Sequence, residues 1–191
     1  LHLCDRRQRQ MCIRDRNMGI QFETDYNMET LTAMAKGLRK TVRKKRSRRV
    51  HIFAAVVLVL GILTILATVA GGESLGASGV VTLLALLVVI LVSLFEDRLN
   101  AWFAKKRLLP GTEHAAATFE EDGYVSATGV TESRFSYAQI VAVAETARYF
   151  VFALSSHHTQ AYDKRTIRGG SVEDFRAFIA EKTGKLVEKI K

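Results

Sequence analysis

Two stretches without charge constrain this chain more than anything else in it. Val50–Ala70, VHIFAAVVLVLGILTILATVA, runs for twenty-one residues with His51 as its one ionisable group. Val80–Phe95, VVTLLALLVVILVSLF, reaches twenty-one residues when counted from Leu75. Wound as a helix, such a length rises about 30 Å, the hydrocarbon thickness of a bilayer. The β-branched content would also suit a buried strand in water. Length and lack of charge favour a membrane-spanning helix, which satisfies its backbone internally. The connector Gly71–Gly79, GGESLGASG, is short and free of Lys and Arg, so the two helices are expected as an antiparallel hairpin (spans 50–70 and 75–95). A simple soluble globule, a disulfide-stapled secreted domain and a disordered tail are thereby excluded.

Charge gives the hairpin a direction. The chain has 28 Lys+Arg against 19 Asp+Glu, a net charge of +9. Residues 36–49, KGLRKTVRKKRSRR, hold nine bases and no acid, whereas residues 50–191 carry fourteen of each. The basic block therefore sits directly before the first span, and Arg98, Lys105, Lys106 and Arg107 follow the second. Positive charge on both flanks and none in the connector predicts both termini in the cytoplasm, as in a multi-pass protein of the bacterial inner membrane. Nucleic acid is not an expected partner, because residues 113–191 hold ten bases and eleven acids and so offer no positive surface on the fold.

Residues 1–17, LHLCDRRQRQMCIRDRN, contain five arginines, both cysteines (Cys4 and Cys12) and no apolar core of a signal peptide. They are read as a non-native leader, with Met18 as the start; a genuine basic arm is the other reading. Without the leader no cysteine remains, and thiol chemistry drops out.

Residues 18–49 are read as a strand, Ile20–Thr24, followed by an amphipathic juxtamembrane helix. Met28, Leu31, Ala35, Leu38 and Val42 recur at spacings of three and four, which predicts an apolar face lying on the bilayer surface. The bases Lys36, Arg39, Lys40, Arg43, Lys44, Lys45, Arg46, Arg48 and Arg49 become candidate contacts to anionic lipid headgroups. After the second span the helix is expected to continue through Leu99, Trp102 and Phe103 until Pro110-Gly111 stops it. Trp102 suits either an interfacial belt or packing on the cytosolic domain.

From residue 112 the pattern changes to short alternating segments. Ala115–Glu120, Tyr124–Thr128, Thr131–Tyr137, Val141–Thr146, Tyr149–Leu154 and Thr159–Asp163 are read as strands, with Asp122-Gly123 as a hairpin turn. Ser171 and Asp174 form a capping box, and Val172, Phe175, Phe178 and Ile179 make one helical stripe ending at Thr183-Gly184. The charged tail to Lys191 is compatible with more helix. The whole is an α+β membrane protein, a two-helix hairpin plus a small antiparallel sheet domain with a C-terminal helix, on a pleckstrin-homology-like plan. Ile20–Thr24 is expected to join that same sheet, which makes the hairpin an insertion within one domain.

The segment Phe135–Ile167 and the helix after it resemble the YcxB-like family of bacterial membrane proteins. The residues that carry the likeness are Tyr137 and Ile140, the turn Glu145-Thr146-x-x-Tyr149-Phe150, the pair Lys164-Arg165, and Phe175-Arg176-x-Phe178. Tyr137 stands where the family usually has tryptophan, and Asp163 where it often has proline. The resemblance is drawn over residues 19–184 and implies a hairpin with a cytosolic domain; it implies no activity.

Chemistry-bearing motifs are scarce. There is no P-loop, HExxH or GxSxG, and no catalytic, cofactor or metal residue is expected. His157-His158 reads as a surface loop and Glu120-Glu121-Asp122 as a solvated turn. Gly72-x-x-x-Gly76 falls in the connector. Lys164, Arg165 and Arg168 form a local basic cluster that suits a phosphate or headgroup, or simply a solvated face. The expected function is therefore a membrane-anchored interaction module that binds lipid, a protein partner or a second copy of itself. The alternative is a pore or transporter subunit built from several hairpins.

Overall fold

The computed structural model describes residues 19–72 and 74–190; the expected leader lies outside them. The chain begins with strand β1 (Ile20–Asp25), whose alternate residues Phe22 and Thr24 are buried. Helix α1 (Met28–Lys40) follows. Its start is fixed by Asn27, whose side chain accepts from the Thr30 amide, and its ends are electrostatically matched by Glu29 and by Arg39 and Lys40.

Helices α2 (Lys44–Ala70) and α3 (Ala77–Leu94) are both long and apolar enough to cross a membrane. They pack side by side, with Gly61 of α2 so close to Leu86 of α3 that a Cβ would come within 2.6 Å of it. The hydroxyls of Thr64, Thr68, Thr82 and Ser93 all donate back to carbonyls of their own helix. These four hydroxyls are therefore satisfied without a partner outside their own helix.

The second apolar helix does not run on as expected. The chain bends at Phe95 and restarts as α4 (Glu96–Lys106), with Glu96 and Asp97 in its first turn. Those two acids suit a helix N-terminus and not the continuation of an apolar span. The restart lets α4 fold against α1, burying Ala101 completely. Trp102 remains half exposed, with the Lys106 ammonium 3.7 Å above its ring.

The remaining strands are β2 (His114–Phe119), β3 (Tyr124–Thr128), β4 (Glu132–Phe135), β5 (Ala142–Glu145), β6 (Tyr149–Ala153) and β7 (Thr159–Asp163). Helix α5 (Val172–Thr183) carries the expected Ser171–Asp174 capping box and ends at Gly184 in the left-handed region. Strand β8 (Val187–Lys189) closes the chain. The strands make two four-stranded sheets, β1-β2-β3-β4 and β7-β6-β5-β8, where one sheet was expected. All neighbours are antiparallel except β8, which runs parallel to β5. The tail is thus a strand and not a helix, because its backbone completes the open edge of β5.

The expectation for residues 20–24 is met. Strand β1 pairs with β2 from Ile20↔Phe119 to Asp25↔His114, although the whole hairpin lies between them in sequence. The two sheets join along β1 and β7, where the Asp163 amide donates to the Thr24 hydroxyl and Gln21 bridges Arg168. Between the sheets and α5 lies an aromatic core of Phe22, Phe119, Tyr124, Phe150, Phe152, Tyr162 and Phe175. Edge-on contacts such as Phe22–Phe175, 4.6 Å between ring centres, dominate it.

The apolar stripe of α1 does not face a bilayer. Leu31 and Leu38 are buried, and Gly37 sits on Val151 of β6 so closely that a Cβ would lie 2.8 Å from it. A stripe at helical spacing fits a sheet as well as a lipid surface, and here the sheet and α4 cover it.

Candidate functional site

Three helices frame an open cleft of about 410 Å³ at the base of the hairpin. Helix α1 contributes Met34, Leu38 and Arg39. The start of α2 contributes Arg43, Arg46, Ser47 and Val50, one face at spacings of three and four. Helix α4 contributes Glu96, Asn100, Phe103 and Arg107, again one face, and His157 and Thr159 close the floor from the β6–β7 turn.

The four arginines of the cleft differ in what holds them. Arg39 is clamped to Asp97 through two bonds, Nε to Oδ1 at 2.7 Å and Nη2 to Oδ2 at 2.6 Å. Arg43 donates its Nε to the Ser156 carbonyl at 2.7 Å and its Nη2 to His157 Nδ1 at 2.9 Å. Because guanidinium has no acceptor, Nδ1 of His157 must accept, which puts the imidazole proton on Nε2. Arg46 and Arg107 have no carboxylate within ion-pair distance among the described residues. Glu96 is the single acid on the cleft wall, and it lies 3.8 Å from Arg39 and 3.7 Å from His51.

Of the nine bases expected at headgroups, the structure brings Arg39, Arg43 and Arg46 into this cleft. Lys40, Lys44, Lys45, Arg48 and Arg49 are exposed around it, at the end of α1 and the first turns of α2. Lys36 lines a different groove, with Met28, Arg98, Arg148 and Ile190, on another side of α1. Arg107, expected only as a base flanking the second span, and His157, expected only in a surface loop, complete the cleft. Their positions follow from the fold of α4 back onto α1, which no local pattern encodes.

The second expected cluster does not converge on one point. The Lys164 ammonium is held by Glu145 at 2.6 Å and by the Thr146 carbonyl at 2.6 Å. Arg165 pairs with Asp163, and Arg168 with Glu23. Glu145 is almost fully buried and also accepts from Arg176 Nε and Nη2 at 2.7 and 2.8 Å. These bonds from Arg176, with Lys164 second among the cations, hold its carboxyl down at about 2 against the opposing effect of burial. The Glu145–Lys164–Arg176 triad ties α5 to β5 and to the end of β7. Beside it, Asp163 receives Arg148 and Arg165, and Arg148 also reaches Glu29 on α1. Lys164 and Arg176 are thus structural partners of Glu145.

A smaller recess between the sheets is lined by Tyr26, Ser126, Ser133 and Gln160. The Gln160 carbonyl accepts from Tyr124 and Tyr162 at 2.8 and 2.7 Å. Burial pushes Tyr26 up to about 12 and also raises Tyr124 and Tyr162 above the ordinary tyrosine value, so these phenols stay protonated at neutral pH. No group of three or more His, Cys, Asp or Glu side chains placed to hold a metal ion occurs among the described residues. His114 of β2 pairs with Asp25 across from it on β1, and His158 packs against Phe135.

No curated protein and no solved structure matches the chain. The family match is narrower than the likeness drawn from the sequence: it begins at the end of β2 and stops within α5, so it covers the triad and every residue of the aromatic core but Phe22, and not β1, α1, the hairpin or α4. Residues 119–179 match the family described as YcxB-like protein.

Proposed function

We propose that the chain is a two-span protein of the bacterial inner membrane that presents a cytosolic interaction module and catalyses no reaction. One observation carries the topology. Strand β1 and helix α1 precede the hairpin, and they pair with β2 and pack on α4, which follow it. A domain built from both sides of an insertion requires both ends of that insertion on the same side of a bilayer. The basic flanks of both spans favour the cytoplasmic side. Two sheets joined at one edge and covered by a C-terminal helix support the pleckstrin-like plan of the module, with β8 as an addition to it.

The pore reading finds less support. A lumen needs polar groups facing it, and four of the hydroxyls on the spans, Thr64, Thr68, Thr82 and Ser93, bond within their own helices. The test is proteolysis of membrane vesicles carrying the full chain with a C-terminal tag. The tag is expected to be cut in inside-out vesicles and protected in right-side-out ones. Release of the intact chain by alkaline carbonate, or the opposite protection pattern, contradicts the proposal.

A further inference from the structure

We infer that the cleft between α1, α2 and α4 binds the phosphate of an anionic glycerophospholipid. The inference rests on the membrane reading above and adds the site and the ligand class. Arg39 is neutralised by Asp97, which leaves Arg43, Arg46 and Arg107 on two walls of the cleft against the single carboxylate of Glu96. Guanidinium groups match phosphate oxygens through paired, charge-assisted hydrogen bonds. Arg43 is held in place by the Ser156 carbonyl and His157, and these use two of its five N–H donors. Three remain for a ligand, on a side chain already ordered, which lowers the entropic cost of binding.

Position selects a lipid from among phosphate esters. Arg43, Arg46 and Val50 lie on one face of α2 within two turns, so the cleft leads from three cations directly to the first residue of the apolar run. Phe103 of α4 adds an exposed aromatic ring on the opposite wall. A headgroup phosphate in the cleft therefore leaves its acyl chains beside the apolar part of α2, where a lipid already has them. A soluble phosphate ester shares the charge chemistry but gains nothing from Val50 or Phe103.

The test uses the full chain in non-ionic detergent with equal amounts of phosphatidylglycerol and phosphatidylcholine, bound lipid being counted by native mass spectrometry. The wild type is expected to retain phosphatidylglycerol over phosphatidylcholine by about tenfold, and R46Q/R107Q to bring that ratio near unity. R98Q/K105Q removes the same charge from other faces of α4 and is expected to keep the preference. Equal retention of both lipids by the wild type overturns the inference, as does a preference that survives R46Q/R107Q or falls equally in R98Q/K105Q. Full displacement of phosphatidylglycerol by equimolar glycerol 1-phosphate assigns the site to a soluble ester and overturns the lipid assignment. Vesicle proteolysis of the same preparation before solubilisation reports the topology separately. A chain with its tail inside but no lipid preference therefore overturns the cleft alone.

Discussion

Arg39 and Asp97 stand 58 positions apart and meet as a two-pronged ion pair at 2.6 and 2.7 Å. One lies at the end of the helix that enters the hairpin, the other at the start of the helix that leaves it. The pair closes the base of the hairpin and fixes the angle between α1 and α4, which sets the width of the basic cleft. Both side chains are mostly buried, so neither charge has water as an easy substitute.

Breaking that pair loosens the joint. Arg39→Gln is expected to destabilise the chain by about 2 kcal/mol, because a charge-assisted pair is lost and Asp97 is left partly desolvated. Arg39→Lys keeps the charge but loses the planar fork, and should recover only part of the loss. Thermal unfolding in detergent reads both variants, and a double-mutant cycle with Asp97→Asn isolates the pairwise coupling. Additive single and double variants would show that the two residues do not interact.

Glu145 gives the domain a pH dependence with a defined sign. Its carboxyl is held at about 2 in the folded chain against an ordinary 4.5. A depressed carboxylate stabilises above the unfolded value and loses that contribution as pH falls from about 4.5 towards 2. The difference is about 3 kcal/mol. Glu145→Gln is expected to cost a similar amount at pH 7, since Lys164 and Arg176 lose their shared anion, and to flatten the acid limb. Thermal midpoints between pH 7 and pH 3 check this, and an acid limb unchanged in the variant contradicts it.

Gly37 is a packing position. A side chain there meets Val151 of β6, so Gly37→Leu is expected to push α1 off the sheet at a cost of about 1–3 kcal/mol. Adding Val151→Ala opens space opposite and should restore part of the stability, which a defect confined to helix propensity would not allow. Chemical unfolding of the single and double variants separates the two causes.

Much of this architecture is legible in the residues. The two apolar runs have the length and uniformity of bilayer spans. Phe22 and Thr24 alternate as a half-buried strand must, which is why β1 is visible despite its separation from β2. Ser171 and Asp174 fix the start of α5, and Gly184 its end. The errors have physical reasons. Leu31 and Leu38 repeat with helical period whether the covering surface is lipid or sheet, so the period alone could not name their partner. The break at Phe95 carried a signal in Glu96 and Asp97, two acids suited to a fresh N-terminus. Strand β8 exists because β5 offers an edge to Val187–Lys189, a tertiary cause absent from three residues. The cleft was half visible: Arg43 and Arg46 belong to the basic block, but Arg107 arrives from beyond the second span.

The central claim is that both ends of the hairpin lie on one side of a membrane and its connector on the other. Single cysteines at Ser74 in the connector and at Leu186 in the exposed tail, in a chain with Cys4 and Cys12 changed to serine, report it in intact cells treated with a membrane-impermeant maleimide. The account predicts rapid labelling at position 74, and labelling at position 186 only after the inner membrane is breached. Labelling of position 186 in unbroken cells, or protection of position 74, would contradict it.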